Sequence, residues 1–166
     1  MRPSRAPSAV ALPPWVVELY AEIGAAHLSW RLGTAGYERL EPELSDHEHR
    51  YDISGNLDLL APEELAGGLT GHGWQRIYGD RAQGYWPVDF ASYYLSLGFA
   101  APEGPPVIFD LVEGRRVPLA MSLPAYLEAG AALWFLDGWQ LTLLGDAEAE
   151  RQGARLAGLV RRLSGG

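Results

Sequence analysis

The stretch "PPVIFDLVEGRRVPLAM" at residues 105–121 decides more about the architecture than any other part of the chain. Val107, Phe109 and Leu111 alternate before Glu113-Gly114, and Val117 and Leu119 alternate after it. Side chains two residues apart share one face of a strand, and a glycine-bearing turn lets the chain reverse, so the pattern predicts a β-hairpin. A hairpin needs a wider sheet and something apolar to cover it. Further strand material lies upstream. "VDFASYYLSLGF" alternates through Tyr93, Leu95 and Leu97, and "LSWRL" alternates Leu28, Trp30 and Leu32 against Ser29 and Arg31.

Helical periods supply the cover. In "LPPWVVELYAEIG" the prolines stand at the helix mouth, where a missing N–H costs nothing, and Val16, Leu19, Tyr20 and Ile23 repeat at helical spacing up to the stop at Gly24. "APEELAGG" predicts one short helix. "SLPAYLEAGAALWFL" predicts another, with Ser122 available as a cap and Leu127, Ala131 and Trp134 on one side. "DAEAERQGARLAGLVRRL" has Asp146 as a cap, acids early and arginines late, and a buried side of Ala149, Leu156, Leu159, Val160 and Leu163. Residues 33–50 show no sustained period and read as a loop. "YDISGNLDLL" reads as strand broken near Ser54-Gly55-Asn56. Asp137-Gly138 reads as a turn or a helix end, and Trp139, Leu141 and Leu143 as a strand after it. The fold class expected is α+β, a mainly antiparallel sheet with helices packed on it. Residues 1–11 read as a flexible tail, 12–134 as one domain, and 135–166 as a C-terminal extension of strand plus helix packed on that domain.

Composition excludes several chemistries. The 166 residues contain no cysteine, which removes disulfides, thiolate metal sites and cysteine nucleophiles. All 13 basic residues are arginine, so there is no lysine for a Walker-type phosphate loop or a Schiff base. A net charge of −8 opposes binding to a phosphate backbone and favours a basic protein partner. The arginine-bearing start "MRPSRAPSAVALPP" has no apolar core of the kind a secretory signal carries, and no run approaches the ~18 apolar residues of a membrane span. A cytoplasmic protein without membrane or nucleic-acid partners is expected.

Two histidines and two acids crowd into Asp46-His47-Glu48-His49. On a strand, His47 and His49 share a face, but a catalytic zinc usually takes three protein ligands, and the third would have to be His27, His72 or a distant acid. The segment sits in "ERLEPELSDHEHRYD", where six acids and two arginines give a local charge of −4. A solvated or partner-facing loop is the simpler reading, with a small metal-dependent hydrolase on His47 and His49 as the alternative chemistry. "YLSLG" at residues 94–98 has only half of a nucleophile elbow, and Ser96 reads as an outward strand position. "GHGWQR" lacks the third glycine of a dinucleotide loop. Glu63 and Glu64 complement the dipole of their short helix. The aromatics Trp74, Tyr78, Tyr85, Trp86, Phe90, Tyr93 and Tyr94 suit either a core or an interface, since tyrosine and tryptophan join apolar area to a polar tip. "GDRAQG" places Tyr85 and Trp86 beside an exposed loop.

The order "LPPWVVELYAEIG", "LSWRL", "GNLDLLAPEEL", "YYLSLGF" with "PPVIFDL", then "VPLAMSLPAYLEAG" resembles the SUKH superfamily over roughly residues 12–134. That group includes yeast cell-wall assembly regulators and many bacterial immunity proteins. Family members commonly have an Asn-Gly-Gly-like turn after the first helix, where this chain has Gly24-Ala25-Ala26. The resemblance implies a SUKH-like domain without a catalytic constellation or cofactor. It points to an immunity protein that binds and neutralises a bacterial toxin, with a regulatory or scaffold domain as the alternative. The partner-binding residues expected on the acidic run and the aromatic loop are Glu41, Glu43, Asp46, Glu48, Asp80, Tyr85 and Trp86. The expected partner is a basic toxin domain.

Overall fold

The computed structural model describes residues 11–44, 53–65, 79–90 and 94–164. Six antiparallel strands form one sheet in chain order: β1 (Ala26–Arg31), β2 (Ser54–Leu59), β3 (Trp86–Asp89), β4 (Leu95–Phe99), β5 (Val107–Asp110) and β6 (Arg115–Pro118). The described helices are α1 (Pro14–Glu22), α2 (Thr34–Leu40), α3 (Pro62–Leu65), α4 (Leu123–Ala132) and α5 (Ala147–Ser164). This is the α+β arrangement that the alternating segments predict. None of the described helices is long and apolar enough to cross a membrane. The chain divides into two compact units, Met1–Ala26 with Asp58–Leu123, and His27–Leu57 with Pro124–Gly166.

In the first unit, α1 starts as its prolines require. Val16 and Val17 donate their N–H groups to the Pro13 carbonyl, and Val16 and Leu19 are buried. The Trp15 ring meets Phe99 edge-on at 6.4 Å, which ties the helix to β4. All five residues of β4 are buried. Alternation therefore marks the strand there without marking a solvent face. Leu97 pairs with Ile108 and Ser96 with Phe109, and the hairpin turns at Glu113-Gly114 as expected. The β3–β4 register shifts between Pro87 and Asp89, a bulge where a residue without an N–H costs no ladder bond.

Gly98 lies under the aromatic part of this core. A Cβ there would come within 2.1 Å of the Trp86 carbonyl and 2.7 Å of the Tyr85 ring, so only glycine fits. Tyr85 stacks at a tilt on Phe109 at 4.8 Å, and its hydroxyl donates to the Ser96 carbonyl at 2.7 Å. Burial pushes the Tyr85 hydroxyl far above the usual tyrosine range.

In the second unit, α2 and a 3₁₀ turn at Glu41–Glu43 occupy a stretch expected to be loop. The correction has a tertiary cause. Leu32 and Tyr37 pack against a cluster of Ile53, Leu136, Ala157 and Val160, so helix forms there without a long periodic stripe. β2 runs unbroken through Ser54-Gly55-Asn56. Trp139–Leu144, expected as a strand, is a 3₁₀ helix with Trp139 and Gln140 buried. Asp146 caps α5 by accepting the N–H groups of Glu148 and Ala149 at 2.9 and 3.0 Å.

Candidate functional site

The second unit contains an open-mouthed apolar pocket of about 480 Å³. β1 contributes Leu28, Trp30 and Arg31. The end of α4 and the residues after it contribute Ala131, Trp134 and Phe135, and the last turns of α5 contribute Val160 and Leu163. Pockets of this size suit drug-sized ligands or the buried part of a larger one. Among the described residues Arg31 carries the one formal charge in the lining, and no acid or histidine joins it. Among the described lining residues the other polar side chain is Ser164, whose hydroxyl donates to the Val160 carbonyl at 3.1 Å. Its chemistry is apolar burial beside a guanidinium.

Backbone geometry fixes the aromatic wall. Trp134 and Phe135 both have left-handed conformations, with φ of 56° and 50°. For residues with a Cβ that region costs about 1–2 kcal/mol each, and such strain clusters at ligand clamps and other functional positions. Surrounding bonds hold it in place. The Phe135 N–H donates to the Gly130 carbonyl at 2.7 Å, closing α4, and the Phe135 carbonyl accepts from the Asn56 N–H at 2.8 Å. The Trp30 indole N–H donates to the Trp134 carbonyl at 2.7 Å. Gly55 makes room for that contact, because a Cβ there would lie 2.3 Å from Trp30 Nε1 and 2.5 Å from the Trp134 carbonyl oxygen. A glycine in β2, two tryptophans and a strained helix end thus make one preorganised surface.

Of the residues expected at a partner surface, Glu41 and Glu43 belong to the second unit, and Asp80, Tyr85 and Trp86 to the first. Glu41 opens its 3₁₀ turn. Glu43 is exposed but committed within the chain: its carboxylate meets Arg162 at 2.5 Å and its carbonyl accepts from Arg155 at 2.9 Å. Asp46 and Glu48 lie outside the described residues, as do His47, His49, His72, Trp74, Tyr78 and Tyr93. Asp80 is exposed and accepts from the Gln83 amide at 3.2 Å. Tyr85 is corrected: only 1% exposed, it is a core residue, because the chain at Gly84 turns its ring inward onto Gly98 and Phe109. Trp86 is half-buried and stacked on Phe99 at 5.6 Å.

Ser96 is also corrected. It is fully buried, and its hydroxyl donates to the Asp89 carbonyl at 3.0 Å, so it serves the core and no substrate reaches it. The loop beside Tyr85 is pinned by arginine. Arg116 donates to the carbonyls of Arg81, Gln83 and Gly84, with its guanidinium 5.2 Å from the centre of the Phe109 ring. Arg81 donates in return to the Val112 carbonyl at 2.8 Å.

Sequence reasoning missed the pocket. Trp30 read as an ordinary half-buried strand residue and Trp134 as one side of a helix, and an aromatic pair is the last place a left-handed turn is sought. Among the described residues no group of three or more acids and histidines is placed to hold a metal. The chain matches no family model, no curated protein and no solved structure.

Proposed function

We propose that this chain is a non-enzymatic protein-binding domain that docks onto a basic partner, in the manner of an immunity protein neutralising a toxin. The observation that carries the reading is the contrast between the two ends of the sheet. β6, at one end, bears Arg115, Arg116 and Pro118, the charge and the proline by which edges avoid further pairing. β1, at the other, exposes His27, Leu28 and Ser29 in succession, with Leu28 46% exposed; it has no proline, and its one arginine, Arg31, stands at its last position. An edge strand with neither proline nor a central charge among the described residues accepts an added strand through main-chain bonds. The net charge of −8, half of it within residues 38–52, supplies steering toward a basic partner. The same reading places the protein in the cytoplasm and asks no cofactor of it.

The test is hydrogen exchange on the complex with a partner recovered from the source cells and then purified. Amides of Ala26–Arg31 gain protection on binding while those of Arg115–Pro118 do not. Protection confined to other elements removes the edge from the mechanism. In parallel, neutralising Glu41, Asp46 and Glu48 slows association and flattens its salt dependence. Neutralising Glu43 serves as the internal comparison, because Arg162 already offsets its charge. Unchanged on-rates in the triple variant refute the electrostatic part.

A further inference from the structure

We infer that the pocket of the second unit binds a single-chain amphiphile with an anionic end, a fatty carboxylate being the simplest member of that class. Three observations carry this, none of which depends on the partner reading. The lining is apolar and aromatic, and its volume of about 480 Å³ suits a whole small ligand. Its one charge among the described residues is the positive Arg31, on an exposed strand position beside Trp30. The two left-handed residues Trp134 and Phe135 hold their rings against the cavity at a conformational cost, the signature of a surface kept ready before a ligand arrives.

The placement of the ligand follows from the charges. Val160 and Leu163 belong to the last turns of α5, where the free backbone groups are carbonyls that a carboxylate avoids. The anionic end therefore lies at Arg31, and the alkyl chain runs inward along Trp30 and Trp134 toward Phe135 and Val160. The planar guanidinium has five N–H donors, enough to hold a carboxylate bidentately while keeping a neighbour within the protein. Among the described residues the lining has no acid to oppose the ligand's charge.

The experiment titrates the full-length protein with straight-chain carboxylates from eight to twelve carbons, below their micelle concentrations, by calorimetry and by tryptophan fluorescence. Binding saturates at one equivalent, and affinity rises about fourfold for each added methylene until the pocket is full. Arg31→Gln weakens carboxylates at least tenfold and leaves alkyl alcohols of equal length unchanged. Ala131→Phe, which puts a ring into the mouth from the exposed side of α4, abolishes binding without lowering the melting temperature. Absence of saturable binding, no dependence on chain length, or full binding by the Ala131→Phe protein each overturns the proposal. Equal affinity for carboxylate and alcohol overturns the role of Arg31. If Ala131→Phe weakens a protein partner while no carboxylate binds, the pocket receives a partner side chain and the inference fails.

Discussion

Replacing Tyr85 by Phe tests whether the buried hydroxyl holds β4 and β5 together. The hydroxyl lies 2.7 Å from the Ser96 carbonyl and 3.2 Å from the Val107 carbonyl, in the dry centre of the first unit. Phenylalanine keeps the contacts with Phe109 and Gly98 and removes only the hydrogen bond. The expected loss near pH 7 is about 1–2 kcal/mol, the net worth of a buried hydrogen bond plus the cost of carbonyls left short of a donor.

The pH dependence makes the prediction sharper. Burial raises the folded-state pKa of Tyr85 above its unfolded value near 10.0. The unfolded chain therefore releases this proton first as the pH rises. The hydroxyl's contribution is fully present below pH ~10 and falls by about 1.4 kcal/mol for each unit above it. All other tyrosines are common to the two proteins and cancel in the difference. Urea unfolding followed by tryptophan fluorescence from pH 7 to 11 should show wild type more stable at first. Its advantage over Tyr85→Phe should shrink to roughly zero by about pH 11. Parallel stability curves across that range would refute the reasoning, since they require Tyr85 to titrate freely in the native protein.

Gly98→Ala places a methyl 2.1 Å from the Trp86 carbonyl, which is backbone and cannot rotate away, so it should cost about 3 kcal/mol or more by denaturant titration. Tyr85→Leu in the same chain should not rescue it; a rescue would show that the ring and not the strand is the obstacle. Trp134→Gly exchanges relief of about 1–2 kcal/mol of left-handed strain against lost aromatic packing. A net destabilisation of no more than about 2 kcal/mol is expected, and a loss above 4 kcal/mol would show that the conformation carries no strain. Glu43→Gln should change stability by less than about 1 kcal/mol, because both side chains of its pair with Arg162 are more than half exposed. A larger change in the melting curve would place that pair among the supports of the second unit.

Elements set by neighbours in the chain were legible. The Pro13–Pro14 entry to α1, the Glu113-Gly114 turn and the Asp146 cap of α5 each solve a local problem of unpaired backbone groups, and the residue types that solve it are few. Elements set by distant packing were not. Trp139, Leu141 and Leu143 alternate as a strand does, yet the segment is a 3₁₀ helix. Trp139 meets Tyr126 at a tilt at 4.7 Å and Phe135 edge-on at 6.0 Å, contacts that no window of six residues reveals. Residues 34–40 form α2 because the cluster around Ile53 and Val160 gives Tyr37 somewhere to pack. In β4, alternation found the strand but misassigned Ser96. A period of two identifies which residues share a face, and whether that face meets water depends on what lies against it.

The candidate site divides the same way. Charge is additive along a sequence, so the acidic stretch at 38–52 could be read without knowing the fold. Its distribution in space could not: Glu43 is answered by Arg162, which lies in the last turn of a helix more than a hundred residues further on. The pocket is more remote still. Trp30, Gly55 and Trp134 come from a strand, its neighbour and a helix end, and each taken singly is an ordinary residue. Only their meeting explains why β2 carries a glycine and why α4 ends in an aromatic where glycine is the usual choice. A glycine at position 134 would lower the strain and lose the ring that lines the cavity. That the chain bears the strain is the argument for asking what the ring is there to touch.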